Sequence, residues 1–164
     1  MPWKIDLVLM LRSIIGDLDK AKFTDERIKQ ILVVGAYNVL NDADFSETYT
    51  VNVAEISISP DPISESDTDF STLTVYKSAC ILLGSEVKTE AANAISIKDG
   101  PSAIDLRGVT ANLSNLYNDL CAKYDALLKT YQYNNTLVGQ AILGPYSPGS
   151  MVVNGNQFDY RGNL

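Results

Sequence analysis

The chain has 164 residues, a formal net charge of −7, 46% hydrophobic residues and 20% charged ones. Those values fit one globular domain of ordinary size and argue against a nucleic-acid-binding surface, which needs a basic stripe. There is no histidine, so the commonest general base and metal ligand is missing.

No apolar run approaches the roughly 18 residues that span a membrane. The opening Met1-Pro2-Trp3-Lys4 leads into an amphipathic segment with Asp6 and Arg12, unlike the h-region of a signal peptide. The expectation is a soluble protein.

In chain order, a first helix is predicted over residues 5–15. Leu7, Leu11, Ile14 and Ile15 recur at helical spacing, and Gly16 stands where a C-terminal glycine is favoured. A second helix starts after Thr24, a good N-cap, with Asp25 and Glu26 in its first turn. Ile28, Ile31, Leu32, Gly35, Val39 and Leu40 form its apolar stripe, and the helix should stop near Asn41–Asp42.

From Glu47 to Ser59 the period becomes two. Tyr49, Val51 and Val53 alternate with polar residues, then Ile56 and Ile58, with a slip at Ala54 that allows a bulge or a hairpin. Pro60-Asp61-Pro62 ends this strand segment. Glu55, Asp61, Glu65, Asp67 and Asp69 carry five like charges with no Lys or Arg between them. Asp61, Glu65, Asp67 and Asp69 are therefore expected in an exposed loop that lines a channel or faces solvent. The loop lacks the register, central glycine and terminal Glu of a calcium-binding EF-hand.

A third helix is predicted over 69–92, with Leu73, Tyr76, Ala79, Cys80, Leu83 and Val87 on one face. Ile81 and Leu82 make its centre apolar nearly all round, which marks the central helix of a bundle. Residues 94–107 read as a hairpin turning at Lys98-Asp99-Gly100-Pro101, a structural turn in preference to a catalytic one. A fourth helix over 109–131 carries Leu113, Leu116, Leu120, Tyr124, Leu127 and Leu128 as a buried stripe. Tyr124, Tyr131 and Tyr133 lack the basic company of a base-stacking platform and are read as residues of core packing or subunit contact. Cys80 and Cys121 each lie inside a helical pattern. They are expected as buried reduced thiols, with a disulfide as the alternative.

The last 33 residues contain five glycines and two prolines, which break any long helix. They also carry Tyr146, Met151, Val152, Val153, Phe158 and Tyr160, too apolar a set for a solvated linker. These six are expected to anchor an extended arm on a neighbouring subunit. The fold expected is mainly α: a four-helix bundle over residues 1–133, with a strand insertion at about 47–59 and a hairpin at about 94–107. The extended arm covers 134–164. No motif for catalysis is present: no GxSxG, P-loop or GxGxxG. No enzyme activity, cofactor or metal is expected.

Leu9-Met10-Leu11-Arg12-Ser13-Ile14-Ile15-Gly16-Asp17, followed by Phe23-Thr24-Asp25-Glu26-Arg27-Ile28, resembles the opening of tailed-bacteriophage head–tail connector (neck adaptor) proteins. Asp69-Phe70 running into Leu73–Leu83 is similar to their third helix. Residues 94–105 look like the hairpin before their last helix, and Tyr117 to Tyr124 resembles that helix. The likeness covers about residues 5 to 130. It implies a virion protein in the neck, made in the bacterial host cytoplasm. Such a protein forms a homo-oligomeric ring on the portal vertex, usually of twelve subunits. The ring extends the DNA channel and joins the portal protein to a downstream neck or tail protein. In such a ring the six arm anchors would dock on the portal protein or on the next subunit. DNA passes through without specific binding, and no membrane is involved. The alternative is another helical interaction module, a tail-assembly factor or a regulator, also without catalysis.

Overall fold

The structure is a computed structural model, and it describes residues 2–93, 97–99, 102–104 and 107–135. The chain is mainly helical. Its elements are α1 (Trp3–Ile15), α2 (Asp25–Asp42), β1 (Thr50–Asn52), β2 (Ser57–Ser59), α3 (Thr68–Asn93), β3 (Ile97–Asp99), β4 (Ser102–Ile104) and α4 (Arg107–Asn135). Both strand pairs are antiparallel hairpins: Val51 pairs with Ile58, and Lys98 with Ala103. The slip read at Ala54 is the tip of the first hairpin. The chain divides into two compact units, Met1–Thr130 and Tyr131–Leu164.

The turn from α1 to α2 is built around a buried cation. Arg12 is 2% exposed. Its Nη1 donates to Asp17 Oδ2 at 2.6 Å and to the Asp17 carbonyl at 3.0 Å. Its Nη2 donates to the Phe23 carbonyl at 2.8 Å and to Asp25 Oδ1 at 2.7 Å. Asp17 in turn accepts from the backbone N–H groups of Lys22 at 2.9 Å and Phe23 at 3.1 Å. Gly16, at φ 73°, ends α1 in the left-handed conformation that costs glycine least. Thr24 accepts from the N–H of Arg27 and caps α2. Arg12 lies outside the apolar stripe that periodicity gives the first helix, because its position is polar by composition and buried by partnership.

Three helices share the close-packed core. Trp3, Leu7 and Leu11 of α1 meet Ile28, Leu32, Val33 and Val39 of α2 and Phe70, Leu73, Val75, Ala79 and Leu82 of α3; all of these are at most 2% exposed. Helix α3 is central, as expected, but its buried face is turned from the one read in the sequence. Ser71, Thr74, Val75, Ser78, Ala79 and Leu82 point inward, whereas Tyr76, Cys80 and Val87 are half-buried. The reason is a close crossing. A Cβ on Gly35 of α2 would overlap Ser78 Oγ and lie 3.1 Å from the Thr74 carbonyl, so small side chains are required on both sides. The Ser78 hydroxyl donates to the carbonyl of Thr74 at 2.6 Å, which keeps a buried polar group satisfied. A hydrophobic period cannot register a face made of serine and threonine.

Behind the core, Tyr49 stacks on Phe70 with centroids 4.0 Å apart, and Phe45 meets Phe70 edge-on at 5.1 Å. These rings fasten the segment after α2 to the start of α3.

Helix α4 joins this core through few side chains. Cys121 forms a disulfide with Cys80 of α3, their Cα atoms 5.3 Å apart. That separation is ordinary for a disulfide, and it corrects the expectation of two reduced thiols: facing stripes brought the sulfurs within bonding reach. Tyr124 donates its hydroxyl to Asp42 Oδ2 at 2.6 Å, and Lys77 reaches the same oxygen at 2.8 Å. Burial raises Asp42, but the hydrogen bonds from Lys77 and Tyr124 outweigh it and hold the carboxyl below its ordinary range. Burial, reinforced by the bond to Asp42, pushes the Tyr124 phenol well up. Tyr124 is buried, but Leu113, Leu120, Leu127 and Leu128 are only half-buried and Leu116 is 44% exposed. The stripe expected to be fully covered is therefore covered in part.

The Arg12 cluster makes stability depend on pH. The backbone hydrogen bond from Lys22, with Phe23 and Arg12 adding to it, holds Asp17 below its ordinary value of 3.8, and bonds from Lys20 and then Arg12 do the same for Asp25. As pH falls, the unfolded chain therefore takes up protons first. Stability from these groups is complete above the ordinary value and is lost as pH drops below it. Urea unfolding between pH 7 and pH 3 should show that slope, and Asp17→Asn should flatten it. Arg12→Leu should lower the unfolding midpoint several times more than Lys20→Ala, whose ion pair is solvent-exposed.

Reducing the Cys80–Cys121 bond, or Cys121→Ser, should cost about 2–4 kcal/mol. The loss should fall on α4, seen as faster amide exchange there while α1, α2 and α3 keep their protection.

Candidate interaction surfaces

Helix α1 buries one face and leaves the other bare. Trp3, Leu7 and Leu11 go to the core, while Ile5 is 72% exposed, Leu9 58% and Met10 47%. Leu9 and Met10 form one wall of a groove of about 380 Å³, with Val75 and Tyr76 of α3 opposite. Toward Ile5 and Val8 the surface turns basic, with Lys4, Lys20 and Lys29 around it. A contiguous exposed apolar patch rimmed by polar groups marks a site of protein contact. Periodicity alone misses it, because it makes Ile5, Leu9 and Met10 part of an apolar helix without saying which face the fold leaves over.

A second opening, lined by Lys77, Ile81, Gly84, Val87, Lys88 and Tyr117, lies between α3 and α4. The Tyr117 ring rests against Gly84 there, where a Cβ would come within 2.9 Å of Cε2. This contact seats α4.

The four acidic residues expected in one exposed loop divide into two kinds. Glu65 and Asp69 are exposed. Asp61 and Asp67 are half-buried and structural, which corrects the reading of all four as free surface. Asp61 Oδ2 accepts from the N–H of Trp3 at 3.3 Å, satisfying a donor in the first turn of α1, and its Oδ1 accepts from the N–H of Ile63. Asp67 Oδ1 accepts from the N–H of Phe70 at 2.9 Å and caps α3, while its Oδ2 accepts from the hydroxyl of Tyr49 at 2.9 Å. Burial first, then that bond, pushes the Tyr49 phenol well up. Carboxylates are placed here to end helices, a role that net charge conceals.

Lys98 and Asp99 lie in β3. Of the three tyrosines, Tyr124 is buried and Tyr133 is 53% exposed. The arm anchors Tyr146, Met151, Val152, Val153, Phe158 and Tyr160 lie outside the described residues. Among the described residues, no group of three or more Cys, Asp or Glu is placed to hold a metal ion, and no helix is long and apolar enough to cross a membrane. No family model, curated protein or solved structure matches the chain.

The division of the acidic loop is open to direct measurement. Glu65→Gln and Asp69→Asn should each change unfolding free energy by less than about 0.5 kcal/mol. Asp67→Ala should cost about 1–2 kcal/mol as a lost helix cap. Chemical denaturation of the three variants checks both values.

Proposed function

We propose that this protein acts by contact and not by chemistry, as a head-to-tail adaptor of a tailed bacteriophage. In that role it forms a ring on the portal vertex, lengthens the DNA channel and connects the portal protein to the next neck or tail protein. The observation that carries the reading is the uncovered apolar face of α1. Ile5, Leu9 and Met10 are large, adjacent and solvent-exposed, which a protein working alone has little reason to keep.

Further features support it. The Arg12–Asp17–Asp25 cluster builds the α1–α2 turn from the very residues that resemble the connector family. The Cys80–Cys121 disulfide suits a particle that leaves the reducing cytoplasm, since disulfides persist on virions and other oxidising surfaces. Glu65 and Asp69, exposed and acidic, would repel phosphates, which suits a channel that DNA crosses without being gripped.

Native mass spectrometry and negative-stain imaging of the full chain, alone and with the portal protein of its virion, test the reading. The expected result is a closed ring of about twelve copies, since head-to-tail contacts close when the rotation allows. A chain that stays monomeric or dimeric at high concentration and ignores the portal would overturn it.

A further inference from the structure

The groove on α1 has a shape, a charge and, elsewhere on the same chain, a counterpart. About 380 Å³ in volume, it falls at the small end of binding pockets. Its lining is mostly apolar, and a second opening, which shares Leu9 with it, carries the amines Lys4, Lys20 and Lys29. Lys20 there is engaged with Asp25 at 2.8 Å, whereas Lys29 has no ion-pair partner among the described residues. An occupant should be a small apolar group carried beside a carboxylate.

The tip of the β1–β2 hairpin has that chemistry. Val53, Ala54 and Glu55 are all exposed, Val53 at 49%. The tip is also held in one shape. Asn52 Oδ1 accepts from the N–H groups of Ala54 at 3.0 Å and Glu55 at 3.2 Å. Ile56 sits at φ 51°, a left-handed conformation that β-branched residues rarely adopt. Strain of this kind persists where it positions something useful. A pre-shaped tip also loses little freedom on docking. It presents to solvent one apolar side chain and one carboxylate, the inverse of the groove's apolar lining and of the amines in the opening beside it.

We propose that the Val53–Glu55 tip of one subunit seats in the α1–α3 groove of the next copy of the same chain, with Val53 against Leu9 and Met10 and Glu55 facing Lys29 and Lys4. This rests on the ring-forming reading above and names the contact that would build the ring. Because tip and groove are different surfaces, the contact is heterologous. It can propagate from copy to copy and close, which a symmetric pairing of two α1 faces cannot do. The charges govern orientation and rate of encounter, and the apolar insertion supplies the hold.

Thiol crosslinking tests it, since both native cysteines are consumed in the Cys80–Cys121 bond. Leu9→Cys and Val53→Cys alter exposed positions and should leave the fold intact, which circular dichroism checks. The two variants are oxidised mildly, separately and mixed, with and without the portal protein. The expected result is a covalent dimer from the mixture and none from either variant alone. Glu55→Lys should abolish oligomers, and combining it with Lys29→Glu should restore them. A dimer from Leu9→Cys alone would show a symmetric α1 pairing and overturn the proposal. So would a ring that forms without any mixed crosslink, although the adaptor reading would then stand. Protection of Leu9→Cys from alkylation only when the portal is added, with no mixed crosslink, would assign the groove to the portal and overturn it too. A mixed crosslink in open filaments that ignore the portal would uphold the contact and remove the adaptor reading.

Discussion

A guanidinium taken out of water must be given its hydrogen bonds back, and around Arg12 that requirement organises the first third of the molecule. Its three nitrogens find two carboxylates and two backbone carbonyls, all supplied by the turn between α1 and α2 or the start of α2. A lone buried charge would be prohibitive. The turn therefore has one conformation in which Arg12 is satisfied, and that conformation sets how α2 leaves α1. The angle at which α2 departs then decides that Gly35 meets Ser78.

The same requirement gives the residues of the α1–α2 corner their roles. Arg12, Gly16, Asp17, Phe23, Thr24 and Asp25 each have a part in folding there. Arg12 is the cation, and Asp17 and Asp25 are its anions. Phe23 lends a carbonyl that accepts from it, Gly16 ends one helix in the left-handed conformation, and Thr24 caps the next. These residues are thus accounted for by the folding of the α1–α2 corner. Function has to be argued from what the finished fold leaves on its surface, since similar corners can serve different ends.

What it leaves is apolar. Three helices share the buried core, and α4 is tied to it by a disulfide, by Tyr124 on Asp42 and by Tyr117 on Gly84. Outward-facing apolar residues on α1, and the half-covered stripe of α4, are surfaces a partner could complete. The chain uses covalent and charged contacts on its fourth helix while leaving Ile5, Leu9 and Met10 in water.

The sequence by itself determined the elements. Helices, caps, both hairpins and the central place of α3 follow from periodicity and from Gly16, Thr24 and Pro60, because local backbone preference and side-chain spacing are properties of neighbours along the chain. Only the tertiary structure decided which face of each element is used. Ser71, Thr74 and Ser78 are buried because α2 crosses α3 closely at Gly35. Arg12 is buried because Asp17 and Asp25 come round to meet it, and Asp61 and Asp67 turn inward because helix starts lie within reach. Cys80 and Cys121 bond because two stripes were brought face to face. Ile5, Leu9 and Met10 fall outside the stripe read for the first helix and stand in solvent, because α2 and α3 cover its other face. For the buried serines, the cysteines and Asp61 the deciding partner is distant in sequence, and no pattern of nearest neighbours encodes where it will be; for Arg12 it lies five to thirteen residues on, across a turn that helical periodicity does not describe.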